Sequence, residues 1–178
     1  MSSTDFVVPP RSWDDIHAVA ESVRSAIGLE NQPYVPVVDV LERVLDYRMN
    51  LVRFEVGDFA EMEGAEGLTD PNGEFIQIRE DVYQDAIAGD GRARFTIAHE
   101  MGHFFLHTGI PLARSTRGDG VAIYRKSEPQ ANQFAAELLM PRKLIFPGTS
   151  SEKIATDHGV SEEAARNRIK FLSRKGIM

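Results

Sequence analysis

Apolar residues recur along this chain at two periods, and these mark out its elements. Residues 1–12 show neither period, end near Pro9-Pro10, and read as a flexible tail. Ile16, Val19, Val23 and Ile27 then fall on one helical face, with Ser12 or Asp14 placed to cap the helix and Gly28 to stop it. Pro33 and Pro36 precede a short helix expected to run to about Leu45. Residues 48–56 alternate apolar and polar, as a strand does, and 62–79 read as a β-hairpin turning at Asp70-Pro71-Asn72-Gly73. A short helix at 82–88 follows. A longer one starts at Asp90 or Gly91 and ends at His107. Residues 109–127 carry no period and read as a long loop. Residues 128–141 form another helix, with Pro129 in its first turn, where proline is tolerated, and Pro141 at its end. Two short helical patterns flank "HGVS" within 150–175. Helices, then a sheet, then helices is an α+β order, not alternating βαβ units.

With 178 residues, 42% of them hydrophobic, the chain can bury a substantial core in one domain. A net charge of -7 makes it a poor general binder of nucleic acid, because phosphate contacts need lysine and arginine. There is no cysteine, so any metal must rest on His, Asp and Glu. The N-terminus lacks a basic start followed by an apolar run, and no stretch reaches the roughly 18 apolar residues of a membrane span. A cytoplasmic protein without membrane contact is expected.

The candidate chemistry lies in "RFTIAHEMGHFFLH", residues 94–107. Residues four apart on a helix share a stripe, so His99 and His103 can both reach one cation. Glu100 is turned about 100° from His99, beside such an ion rather than on it. A carboxylate there can act as general base toward water acidified by the metal, which is the logic of the HExxH motif. Gly102 costs about 1 kcal/mol against alanine in mid-helix, which points to close approach by another element.

Catalytic zinc commonly takes three protein ligands. The downstream candidates are His107, Asp119, Glu128, Glu137, Asp157 and His158. His107 lies about 12 Å from His99 along the axis, too far to share one ion, so it is expected behind the ligands or at the helix end. On the helix 128–140, Glu128, Ala131, Asn132, Ala135, Ala136 and Leu139 share one face. Its small residues allow close packing against the His99 helix, and Glu128 leads the face. Glu128 is therefore the expected third ligand, with Asn132 accepting the free N–H of a ligating histidine. Glu137 falls near the opposite face.

Three further segments bear on function. One strand of the hairpin, around 65–68 or 75–78, is expected to border a substrate cleft, since peptides often add to a sheet edge. Tyr124 is a candidate donor to a developing oxyanion, and Arg114, Arg117 and Arg125 make its loop basic. Residues 149–178 look like a helix-turn-helix, with Gly159 in the turn, Ser161 as cap, and Arg166, Arg168, Lys170, Arg174 and Lys175 as local positive charge. Glu162 and Glu163 stand where such a helix would meet bases and phosphates, so direct DNA binding is not favoured. The segment is expected to pack on the main domain, residues 13–148.

With "RFTIAHEMGHFFLH" and "EPQANQFAAELLMP" together, the sequence resembles the ImmA/IrrE-type metallopeptidase family over roughly residues 15–175. The resemblance implies a zincin-like α+β domain of gluzincin type. It implies zinc on His99, His103 and Glu128 and Glu100 as base. Manganese is a second cation that such donors accept. Relatives often carry an acidic residue where this chain has Gln130. The resemblance also implies a protein substrate, a helix-turn-helix transcriptional repressor, whose cleavage gives derepression in phage, mobile-element or stress circuits. The alternatives are a non-proteolytic anti-repressor or DNA-binding regulator with a structural metal, and a toxin–antitoxin partner.

Overall fold

The computed structural model describes residues 5–114 and 120–178. Arg117 and Asp119 lie outside the described residues. Where the sequence suggested a flexible tail, Phe6–Val7 forms strand β1, antiparallel to β5, Ala113–Arg114. Val8 beside it is 2% exposed. The proline pair masks these apolar residues from a periodicity reading. β5 likewise interrupts the segment that read as loop, as does a 3-10 turn, Ile123–Arg125.

Helix α1, Trp13–Ala26, opens with a capping box in which Ser12 accepts from the Asp15 N–H and Asp15 returns a bond to the Ser12 N–H. Its Ile16, Ala20 and Val23 are buried. Helix α2, Val37–Asp39, continues as a π-helix, Val40–Arg48, whose wider turns show in the bond from Met49 N–H to Val44 O. The helix therefore outruns its expected end at Leu45, and the strand expected from residue 48 begins only at Arg53.

The three-stranded sheet contains β2, Arg53–Gly57, β3, Gly67–Thr69, and β4, Phe75–Arg79, in the order β2-β4-β3. The expected hairpin is present: β3 and β4 pair antiparallel with Leu68 opposite Gln77, and Gly73 N–H bonds Asp70 O in the turn. β2 runs parallel to β4. Since β4 is bonded on both sides, β3 is an edge. Ile76 and Ile78 of β4 are fully buried, facing the core that lies under the sheet.

Helix α3, Glu80–Ile87, leads to α4, Gly91–His107, capped by Asp90 through the Ala93 N–H. Helix α5, Ser127–Leu139, makes the most extensive inter-element contact of the fold, with α4. Gly102 lies where they meet: a Cβ there would stand 3.0 Å from Ala131 O and 3.1 Å from Ala131 Cα. This is the close approach that the mid-helix glycine signalled. No helix among the described residues is long and apolar enough to cross a membrane.

Helices α6, Ser151–His158, and α7, Glu162–Arg174, flank a left-handed Gly159, and Ser161 caps α7 through the Ala164 N–H. Buried ionic groups fasten them to the rest. The Arg94 guanidinium of α4 donates to Gly159 O at 2.7 Å and to Val35 O at 2.8 Å. Arg168, one of the residues of local positive charge, is 2% exposed and donates to Glu137 at 2.6 Å and to Met140 O at 2.9 Å. Arg142 and His17 complete a cluster around Glu137. Burial alone would raise the Glu137 carboxyl, but the Arg168 and Arg142 guanidiniums override it and hold it below its ordinary value.

Candidate metal centre

Two helices supply the site. On α4, His99 and His103 project from one stripe, their Nε2 atoms 3.0 Å apart. On the first turn of α5, Glu128 places Oε2 3.3 Å from His99 Nε2 and Oε1 3.2 Å from His103 Nε2. These residues form the one group of three or more potential ligands found among the described residues. Donors around a tetrahedral zinc, each about 2.0–2.2 Å from the ion, stand roughly 3.3 Å from one another. The three contacts are near that length, with Glu128 presenting a different oxygen to each imidazole, and the two-imidazole, one-carboxylate chemistry suits zinc or manganese.

The other candidates are elsewhere. Glu137 sits in its arginine cluster. Asp157 pairs with Lys153 at 2.8 Å, and His158 bonds Leu139 O at 2.8 Å. His107 is buried behind His103, its Nδ1 3.1 Å from His103 Nδ1 and its Nε2 3.1 Å from Gln130 Oε1. Asn132 Oδ1 lies 2.9 Å from His99 Nδ1, where an acceptor for a ligand's free N–H was expected. Tyr124 lies on the 3-10 turn; its side chain is half exposed and its carbonyl accepts from Gln130 Nε2 at 2.8 Å.

Electrostatics bind the triangle together. Burial opposes ionisation of Glu128, yet hydrogen bonds from His103 and His99 hold its carboxyl far below the ordinary range. Burial likewise opposes charge on His99, and the Glu128 bond with the Glu100 charge overcomes it, raising that imidazole. His107 goes the other way: burial and the neighbouring His103 push it down to about 4, so it is neutral at pH 7.

Glu100 stands off the triangle, as its position round the helix requires. Its side chain runs under β3, where Thr69 Oγ1 donates to Oε2 at 2.7 Å. A Cβ on Gly67 would fall 2.5 Å from Glu100 Cγ, so only glycine leaves room for this carboxylate. The sequence reading missed both contacts. Their only trace was two small residues at i and i+2 on a strand before a turn, a pattern shared by many hairpins. Of the two strands offered as cleft border, β4 is bonded on both sides, and β3 is an edge that contacts Glu100.

Searches of curated proteins and of solved structures found no match. A family model described as the IrrE N-terminal-like domain, a peptidase family, matches residues 58–170, which run from the end of β2 through α4 and α5 into α7. The chain belongs to this family of metallopeptidases.

Proposed function

We propose that this protein is a cytoplasmic, zinc-dependent endopeptidase of zincin-like architecture that cleaves one specific protein, a helix-turn-helix transcriptional repressor, and thereby relieves repression. The observation that carries the hydrolytic part is the convergence of His99, His103 and Glu128, with Glu100 held by Thr69 under a strand that pairs on one side only among the described residues. The repressor substrate and the circuit rest on the family resemblance alone.

In this mechanism His99, His103 and Glu128 would hold the cation. A zinc ion bound there would supply Lewis acidity, lowering the pKa of water and polarising the scissile carbonyl. Glu100 takes the proton of the attacking water and passes it to the leaving amine. Thr69 fixes the carboxylate rotamer for both transfers. The substrate lies extended along β3, whose outer edge offers backbone donors and acceptors. Tyr124, on the turn before α5, is the candidate donor to the oxyanion.

The test compares zinc-loaded wild type with Glu100→Gln on the candidate repressor. Cleavage by wild type, with binding but no cleavage by the variant, supports the enzyme. Derepression that survives intact in Glu100→Gln assigns the function to binding alone. Direct DNA contact by α6–α7 is disfavoured further by the burial of Arg168 and by Glu162 and Glu163 heading α7. Saturable, salt-sensitive shifting of promoter DNA by the isolated protein would reverse that preference.

A further inference from the structure

Behind His103 lies a chain of hydrogen bonds whose direction can be worked out atom by atom. Gln130 is fully buried, and its side-chain amide has one end against two backbone carbonyls, Pro9 O at 3.0 Å and Tyr124 O at 2.8 Å. Carbonyls only accept, so that end must be the –NH₂ group. The other end is then Oε1, 3.1 Å from His107 Nε2. An amide oxygen only accepts, so His107 Nε2 carries a proton.

His107 is 4% exposed, and its ring nitrogens meet only Gln130 and His103 among the described residues. Its Nε2 proton is taken up in the bond to Gln130, and its other ring nitrogen, Nδ1, is the atom that faces His103. His103 Nδ1 lies 3.1 Å from it, and a His103 that offers Nε2 to a cation carries its one proton on Nδ1, so His103 donates and His107 Nδ1 accepts. A neutral imidazole protonated on Nδ1 has its lone pair on Nε2, and that is the atom facing His99 and Glu128.

We propose that Gln130 and His107 are positioning residues that set the tautomer of His103 and so hold its Nε2 ready as a metal donor. The relay starts at Pro9 and Tyr124, so the segment around β1 and the turn before α5 also act on cation affinity. The proposal rests on the reading of His103 as a ligand. It adds a determinant that touches neither cation nor substrate.

The test is zinc affinity, measured by competition with a chromophoric chelator, for wild type, Gln130→Leu and His107→Phe. Each variant is expected to bind zinc about 10- to 100-fold more weakly while remaining folded. Folded variants that bind zinc as wild type does overturn the relay. A second measurement needs no variant: imidazole ¹⁵N shifts in the zinc-loaded wild type. The expected result is His107 protonated on Nε2 with Nδ1 bare; a proton on His107 Nδ1 overturns the proposal. Wild type that takes up no zinc at all refutes the ligand assignment itself, and the relay with it.

Discussion

Replacing Gly102 with alanine sets two opposing effects against each other at the heart of the site. On an unhindered helix the substitution would stabilise by up to about 1 kcal/mol, because alanine loses less backbone entropy. Here the new methyl would stand 3.0 Å from Ala131 O, 3.1 Å from Ala131 Cα and 3.2 Å from Phe134 Cβ. Two of these are backbone atoms and cannot rotate away, so α4 and α5 must part by a few tenths of an ångström. Overpacking of this kind costs about 1–3 kcal/mol. The cost outweighs the gain, and Gly102→Ala should lower stability by roughly 0–2 kcal/mol. The same displacement separates Glu128, which rides on α5, from His99 and His103, which flank Gly102 on α4. Losing about 1.4 kcal/mol of cation binding corresponds to a tenfold weaker zinc complex. Urea denaturation of the zinc-free protein and chelator competition read the two effects separately. A variant stabilised by about 1 kcal/mol with unaltered zinc affinity would refute the close-packing reasoning.

Thr69→Val should lower kcat about 10- to 100-fold with little change in KM or zinc affinity, because a bond to a charged group contributes about 1.5–3 kcal/mol; Thr69→Ser should restore it, and steady-state kinetics on any cleaved substrate decide. Arg168→Met leaves Glu137 short of one buried partner and should destabilise by about 2–4 kcal/mol in urea denaturation, whereas a change within error would show that Arg142 and His17 suffice. Two groups away from the metal centre weaken the fold as pH falls, with the same sign. His158, depressed by burial below its ordinary 6.5, and Glu137, depressed below 4.5 by its arginines against burial, both bind protons more readily when unfolded. Their contributions are complete above those ordinary values and disappear as pH drops through the folded ones. His158→Asn, which can keep a donor to Leu139 O, should flatten the upper part of that curve in thermal melts followed by circular dichroism.

Much of the site was legible because it is local or helical. The spacing of His99 and His103 fixes their shared stripe. Gly102 reported a close approach, and the small residues of α5 named the partner helix. The hairpin and the caps at Ser12, Asp90 and Ser161 follow from turn and capping chemistry. What stayed hidden depends on long-range contacts. The pairing of Phe6–Val7 with Ala113–Arg114 joins segments more than a hundred residues apart, each only two residues long. Arg168 read as local positive charge and Glu137 as a ligand candidate, because composition cannot show that the two are each other's buried partners. Gln130 looked like a mere absence of an acid, yet its amide both donates and accepts at once, which a carboxylate cannot do. The wide π turns of Val40–Arg48 displaced the strand start and carry no clear signature in sequence.

The zinc centre is tested most directly by calorimetric titration of zinc into the metal-free wild type and into Glu128→Ala. Wild type should bind one zinc ion per chain, and the variant, left with two imidazoles, should bind at least about 100-fold more weakly. Equal affinity in the two proteins, or no binding by the wild type, would contradict a site built from His99, His103 and Glu128.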